Sequence, residues 1–207
     1  MNNLNNKSNK LNKYKIDITT IIIAVNIIVF ILIKIDYKLI FYLGFYPDRV
    51  ISNLFLWQFF TYMFVHSPFN PIPILFNILG LFIFGRSLEK KMGSREFLIY
   101  YFVTGIGAVI LFLFLKVPIV GASGVVFAIL LAFATYFPNK KINLLFVLPI
   151  KAPVAVLLFA GLSLLFQFVG SVNNIVHLTN LTGILIGFIY FVYRLKINPI
   201  KVFKEKD

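Results

Sequence analysis

The stretch Lys116–Tyr136, KVPIVGASGVVFAILLAFATY, decides the fold of this chain. Its second part, Ser123–Tyr136, predicts a helix roughly 21 Å long, shorter than the hydrocarbon core of a bilayer, which is about 30 Å thick. The basic sequence PNKK at 138–141 places one helix end at an interface, so the other end lies roughly 9 Å below the opposite surface. The preceding backbone contains proline and glycine, and such irregular backbone is tolerated at this depth only when it is buried in protein or lines a water-filled cavity. The stretch therefore predicts a polar cavity open to the outside, with Ser123 at its floor.

The chain as a whole is too apolar for a water-soluble protein. Of its 207 residues, 60% are hydrophobic and 13% are charged, and the mean hydropathy is +0.92. This composition excludes a cytosolic enzyme, a nucleic-acid-binding protein and a disordered chain, and it indicates an all-α polytopic membrane protein. The net charge of +13 fits cytoplasmic loops beside anionic lipids, so the lipid bilayer is the expected partner and nucleic acid is not. Cysteine is absent and there are two histidines, so imidazole chemistry must use His66 or His177.

Six apolar segments predict six membrane spans between two tails. We expect a cytoplasmic tail at 1–15, a six-span membrane domain at 16–197 and a second cytoplasmic tail at 198–207. The residues Lys34–Trp57 mix charged and aromatic side chains, which is typical of an interfacial segment. The predicted spans are Ile16–Ile33, Ile72–Leu88, Glu96–Leu115, Ser123–Tyr136, Ala152–Val169 and Ile175–Tyr193.

The positive charges divide unevenly between the two sides of this arrangement. Sixteen of the 20 Lys and Arg residues fall on the side of the termini and four on the other. Basic residues concentrate in cytoplasmic loops. Both termini are therefore expected in the cytoplasm, in what we take to be the cell membrane.

Small residues surround the predicted serine site. Gly121 and Gly124 flank Ser123 and allow a tight turn and a close helix neighbour. The N-terminus of the helix offers free N–H groups to a developing oxyanion. A plainer interpretation, in which GASG is only a small-residue packing patch, stays open at this point.

The sixth predicted span carries the polar residues that match Ser123 in depth. Gly183 and Gly187 form a GxxxG face suited to packing against the fourth span. Counted from the basic end, Asn180 lies level with Ser123, and His177 lies about one turn nearer the outside. Polar residues at this depth indicate a functional site, although a structural hydrogen bond is the alternative for each.

The second predicted span contributes Asn77 at the same depth. An amide there can donate to an oxyanion, or it can form an interhelical bond to backbone. His66 is placed by its sequence position at the outer entrance of this span, at the mouth of the cavity.

Several motifs in order resemble the rhomboid family of intramembrane serine proteases. The resemblance extends from Trp57 to Tyr193. It rests on WQFFTYMFVH (Trp57–His66), LFN (Leu75–Asn77), GRSLEKKMGS (Gly85–Ser94), GASGVVFAILLAF (Gly121–Phe133), FPNKKINLLFVLPIKA (Phe137–Ala152) and the Gly183/Gly187 pair.

The resemblance implies a fold and a set of roles. It implies a six-helix bundle in which Ser123 is the nucleophile and Asn77 belongs to the oxyanion hole. Phe127 occupies the position of an aromatic residue that stacks on the base, and Glu89 that of a structural acid at the end of the second helix.

The chain departs from the family pattern at two positions. The catalytic histidine of the pattern HxxGxxxG is replaced by Asn180, and a further histidine four residues before Asn77 is replaced by Pro73. An amide cannot exchange the hydroxyl proton, so His177 would have to serve as a displaced base.

Three functional hypotheses follow from these residues. The first is a serine endopeptidase that cleaves transmembrane helices, and the second is a catalytically impaired rhomboid-like pseudoprotease that binds transmembrane clients. The third, a transporter or channel, is disfavoured because no acidic residue lies in the middle of a predicted span. Neither a cofactor nor a metal is expected.

Overall fold

Ten helices, a short 3-10 turn at Tyr62–Phe64 and one β-hairpin are the regular elements in the part of the chain that this computed structural model describes, namely residues 16–144, 148–169 and 174–204. The expected tail at 1–15 and the last residues of the tail at 198–207 lie outside it. In chain order the elements are α1 (Ile18–Ile35), α2 (Leu39–Leu43), α3 (Pro47–Ser52), α4 (Gln58–Thr61), α5 (Ile72–Met92), α6 (Ser94–Leu115), α7 (Ser123–Tyr136), β1 (Lys141–Leu144), β2 (Leu148–Lys151), α8 (Ala152–Val169), α9 (Asn174–Tyr193) and α10 (Pro199–Lys204).

The long helices confirm the predicted helical membrane fold. The six predicted spans coincide with α1 and α5–α9, within a turn at each end. Three of them, α1, α5 and α6, have the length and apolar composition of a membrane span. The number of segments that cross the bilayer stays a prediction, because the other apolar stretches, Ser123–Tyr136, Ala152–Leu165 in α8 and His177–Tyr193 in α9, are each shorter than 18 residues.

Helix α5 extends one turn further than its apolar run suggests. It continues past Leu88 to Met92 and contains a π-helical turn at Leu81–Gly85. Gly93, at φ +84°, then ends the helix in a conformation that favours glycine. The added turn carries Glu89, Lys90 and Lys91 at the end of the bundle.

Glu89 joins the beginning of α1 to the end of α5. Its carboxylate accepts hydrogen bonds from the N–H groups of Ile18 and Thr19 at 2.8 and 2.9 Å, from the Thr19 hydroxyl at 2.8 Å and from the Ser94 hydroxyl at 2.6 Å. The first N–H groups of a helix have no acceptor within that helix, and a carboxylate is favoured there. Glu89 therefore holds α1 against the bundle.

The β-hairpin between α7 and α8 was not expected for an all-α chain. Strands β1 and β2 pair antiparallel, with Lys141 opposite Lys151. Alternation of Lys, Ile, Asn and Leu is compatible with a short strand, but four residues are too few for periodicity to predict one. The hairpin adds a small element to a helical bundle and leaves the fold class unchanged.

Helix α7 lies at the centre of the bundle. Ten of its 14 residues are buried, which is why its sequence is apolar on every side. It packs most extensively against α9 and also contacts α5, α6 and α8.

Candidate active site

Ser123 is the first residue of α7, at the end of a well-anchored irregular segment. Ile119 in that segment forms an antiparallel bridge with Phe45, with both N–H···O distances at 2.9 Å. The N–H of Gly121 donates to the carbonyl of Tyr62 at 2.9 Å. Gly121 has φ +106°, a conformation that strongly favours glycine. The irregular backbone is thus held by protein groups, as its predicted depth requires.

The local geometry gives Ser123 access and places free donors beside it. Ser123 is half-buried, whereas Ala122 and Gly124 on either side are buried. The first backbone bond of the helix runs from Val126 N–H to Ala122 O at 2.9 Å. The N–H groups that precede it carry the positive end of the helix dipole, which favours negative charge on a bound group.

A buried His66–Asn77 pair lies next to this segment. The Asn77 Nδ2 and His66 Nε2 atoms are 2.9 Å apart, and the two residues are 6% and 2% exposed. A Cβ atom added at Gly121 would lie 3.8 Å from His66 Nε2. The pair therefore borders the backbone two residues before Ser123.

The placement of His66 differs from the expectation. It was expected at the mouth of the cavity, but it is buried against Asn77 and Gly121. The start of this loop, Val65 and His66, is buried, whereas Phe69 is exposed, and the local sequence does not reveal which part turns inward. The sequence did contain one indication of its importance. The chain has two histidines, so each of them is a candidate site residue.

Helices α7 and α9 approach each other closely near Ser123. A Cβ atom at Gly183 would lie 2.0 Å from the carbonyl oxygen of Gly124, and one at Gly124 would lie 2.9 Å from the carbonyl oxygen of Thr179. One turn along, a Cβ atom at Gly187 would lie 3.3 Å from the Ala128 Cβ. Only residues without a side chain allow the backbones to approach this closely.

Asn180 and His177 lie on α9 beside this contact. Asn180 directly follows Thr179 and is 6% exposed, and its Oδ1 atom has no hydrogen-bond partner among the described residues. His177 is half-buried and lies three residues earlier, about one turn along the helix. The helix contact therefore brings the backbone beside Asn180 close to Gly124 at the start of α7, and His177 lies about one turn earlier on α9.

Two other positions named from the sequence have clear surroundings. The ring of Phe127 contacts the ring of Phe159 on α8, with centroids 6.3 Å apart. Pro73 lies in the first turn of α5, where a missing N–H costs nothing. It offers no donor to a substrate there.

The acidic and imidazole groups do not form a metal centre in the part of the chain described here. No three His, Asp or Glu side chains come together in a metal-binding arrangement among those residues. The His66–Asn77 pair beside Gly121 and the backbone N–H groups at the start of α7 are groups that suit hydrogen bonding.

Comparison with known proteins identifies the family. The model of the Rhomboid domain matches residues 53–197. The chain is 28% identical over 172 residues to the rhomboid protease GluP of Bacillus subtilis, which covers 80% of this chain and 33% of that relative. It is 29% identical over 177 residues to the rhomboid protease GlpG of Haemophilus influenzae, which covers 83% of this chain and 90% of the relative. The chain thus spans about a third of the first relative and nearly all of the second, and it belongs to the rhomboid family.

Proposed function

We propose that this chain is an intramembrane serine endopeptidase that cleaves transmembrane helices, with Ser123 as its nucleophile. Both relatives described above are named rhomboid proteases. The observation that carries the proposal is the position of Ser123. This residue is half-buried at the N-terminus of α7, and Gly121, two residues before it, lies beside the His66–Asn77 pair. The proposed nucleophile lies on α7, and the proposed oxyanion donors lie on α7 and α5, so helices hold all of these groups.

The oxyanion hole consists of backbone N–H groups at the start of α7 and the Asn77 amide. Attack of the Ser123 hydroxyl oxygen on a peptide carbonyl places negative charge on the carbonyl oxygen. The Asn77 Nδ2 group has two hydrogens. One of them points to His66 Nε2, and the other is left for the oxyanion.

His177 is the proposed base. It takes the Ser123 hydroxyl proton during attack and returns it to the leaving amine. The Asn180 Oδ1 atom has no hydrogen-bond partner among the described residues. In the proposed reaction it accepts a hydrogen bond from the imidazole when His177 turns towards Ser123, and so orients the ring. A displacement of 1 Å can cost a factor of about 100 in rate, so we expect slow cleavage.

A catalytically impaired client-binding protein is the second candidate function. Asn180 favours it, because an amide at the usual base position cannot transfer the proton. Such a protein keeps the close-packed α7–α9 wall and binds transmembrane helices without cutting them.

The membrane arrangement belongs to the same proposal. We place both termini in the cytoplasm and the chain in the cell membrane, with the Ser123 cavity open to the outside. The charge distribution supports this orientation.

Cleavage of a transmembrane substrate in detergent tests the proposal. The purified chain is incubated with a single-span protein that contains a Gly/Ala-rich segment, beside Ser123→Ala and the matched control Ser52→Ala. Ser52 is exposed at the end of α3, outside the proposed site. Product from the parent and the control but not from Ser123→Ala supports the protease. Equal product from all three excludes Ser123 as the nucleophile, and client binding without product supports the second candidate.

A further inference from the structure

A basic recess lies at the far end of the bundle, where α5 ends beside the residues that follow α7. It has a volume of about 310 Å³. Its lining residues come from α5 and from the segment between α7 and β1, and they are Ser87, Lys90, Lys91, Phe137 and Lys140. Three cationic side chains thus line one shallow depression that is widely open to the outside, and the proposed protease site does not use them.

The acidic groups near this end already have partners. The Glu89 carboxylate accepts hydrogen bonds from the start of α1 and from Ser94. Asp17 pairs with Arg86 at 3.4 Å, and Glu96 pairs with Arg194 at 2.7 Å. Within the described ranges no carboxylate forms an ion pair with the recess lysines. Asp17 attracts Lys90 at longer range, so most of the positive charge of the three lysines is available to an external anion.

The recess is built partly by backbone contacts. The Lys140 N–H donates to Phe137 O, and the Lys140 carbonyl accepts from Ala152 N–H, both at 3.0 Å. The Lys140 ammonium lies 5.6 Å from the centre of the Phe137 ring, and that of Lys91 lies 5.8 Å from the centre of the Tyr136 ring. These contacts keep the ammonium groups beside the recess without neutralising them.

Three full positive charges outweigh the partial negative charges of the nearby helix ends. The carboxyl ends of α5 and α7 each contribute about half an elementary charge. The field in the recess therefore remains positive. Lysine ammonium groups bind phosphate as point charges, and the Ser87 hydroxyl adds a hydrogen-bond donor.

The predicted orientation places the recess at the cytoplasmic boundary of the bilayer. Anionic phospholipids give that surface a negative potential. Tyrosine side chains suit the headgroup level, and Tyr136 lies beside the Lys91 ammonium. We propose that the basic recess binds a phosphate group, supplied by the headgroup of an anionic phospholipid.

Lipid titration of the full chain in neutral detergent tests this proposal. Fluorescent phosphatidylglycerol and phosphatidylcholine are titrated separately at about 0.15 M salt. Each lysine near an anionic group contributes a factor of about five. The triple change Lys90→Gln, Lys91→Gln and Lys140→Gln should therefore weaken phosphatidylglycerol binding at least about tenfold and leave phosphatidylcholine binding unchanged. All three lysines are exposed, so the variant should fold, and its unfolding curve is compared with that of the parent.

A matched control removes the same charge elsewhere. The triple change Lys34→Gln, Lys38→Gln and Lys116→Gln alters lysines outside the recess, and it should change binding less than twofold. Replacement of the three recess lysines by arginine should keep most of the binding. Equal losses in both glutamine variants, or a loss of less than twofold in the recess variant, would overturn the proposal.

Competition identifies the source of the phosphate. If glycerol phosphate and inorganic phosphate displace the labelled lipid only far above millimolar concentration, the lipid headgroup is the ligand. Displacement at micromolar concentration would show that the recess binds a free phosphate compound, and it would overturn the lipid assignment. These measurements do not depend on cleavage, so Ser123→Ala protein gives the same answer whether or not the protease proposal holds.

Discussion

Helix α5 carries two buried polar clusters about three turns apart, and they are paired to different degrees. Near its end, Glu89 accepts four hydrogen bonds that join α1 and α6 to α5. Near its start, Asn77 has one described side-chain bond, to His66, and Asn180, on α9, has a buried oxygen without a partner among the described residues. A fully paired cluster stabilises a fold, whereas an incompletely paired one keeps hydrogen-bonding capacity for a ligand. The difference separates a structural cluster from a candidate site.

The largest expected effect comes from breaking the paired cluster. Glu89→Ala leaves the first N–H groups of α1 without an acceptor, and the loss of a buried charged partner costs about 3 kcal/mol or more of unfolding free energy. Glu89→Gln keeps one acceptor oxygen and should lose less. Unfolding in a denaturing detergent measures both. An alanine variant as stable as the parent would show that Glu89 does not hold α1.

The next largest effect is expected on the cleavage rate, from changes in the incompletely paired cluster. Asn180→His supplies an imidazole beside the Thr179–Gly124 contact and should raise cleavage about 100-fold, a typical contribution of general acid–base catalysis. His177→Ala should abolish the residual rate, and the double change should remain active. No gain from Asn180→His together with no loss from His177→Ala would mean that imidazole is not the base.

A smaller effect is expected where the two helices that carry the site touch. Gly183→Ala places a Cβ atom 2.0 Å from the Gly124 carbonyl oxygen, and such overpacking costs about 1–3 kcal/mol of unfolding free energy. The matched control is Gly161→Ala in α8, whose added Cβ meets nothing within 4 Å and which should be neutral or slightly stabilising. Equal stability of the two variants would contradict the close backbone contact.

The smallest effect concerns pH and His66, which lies in the loop before α5. Burial lowers the pKa of the His66 imidazole to about 4, below its usual value of about 6.5 in an unfolded chain. The unfolded state then binds more protons, so this stabilisation is complete above about pH 6.5 and is lost as the pH falls towards 4. Between pH 7 and 5.5 the unfolding free energy should fall by about 1 kcal/mol. His66→Gln should flatten this dependence, and an unchanged slope would show that His66 does not titrate between the folded and unfolded states.

Much of the helical layout was predictable because it depends on local composition. The α7 boundaries at Ser123 and Tyr136 follow from a Gly/Ser start and a PNKK end that flank an apolar run. The hairpin was not predictable, since its four-residue strands become stable only through pairing across the chain. The family resemblance is confirmed by the match over residues 53–197.

The candidate site was predictable in part. The depth of a residue along a helix follows from counting residues, so the sequence predicted a similar depth for Ser123, Asn77 and Asn180. The inward position of His66 was not visible, because a loop takes its direction from the surfaces it packs against rather than from its own composition.

The sequence by itself determined that this is an apolar helical membrane protein, which segments form its long helices, and which residues mark it as a rhomboid. These properties depend on hydrophobicity, helix length and short motifs, all of which act over neighbouring residues. The tertiary structure alone decided that His66 pairs with Asn77, that Gly183 touches Gly124, and that three lysines from two segments share one recess. Those contacts join residues that are distant in the chain, and they form only when the packed helices bring their surfaces together.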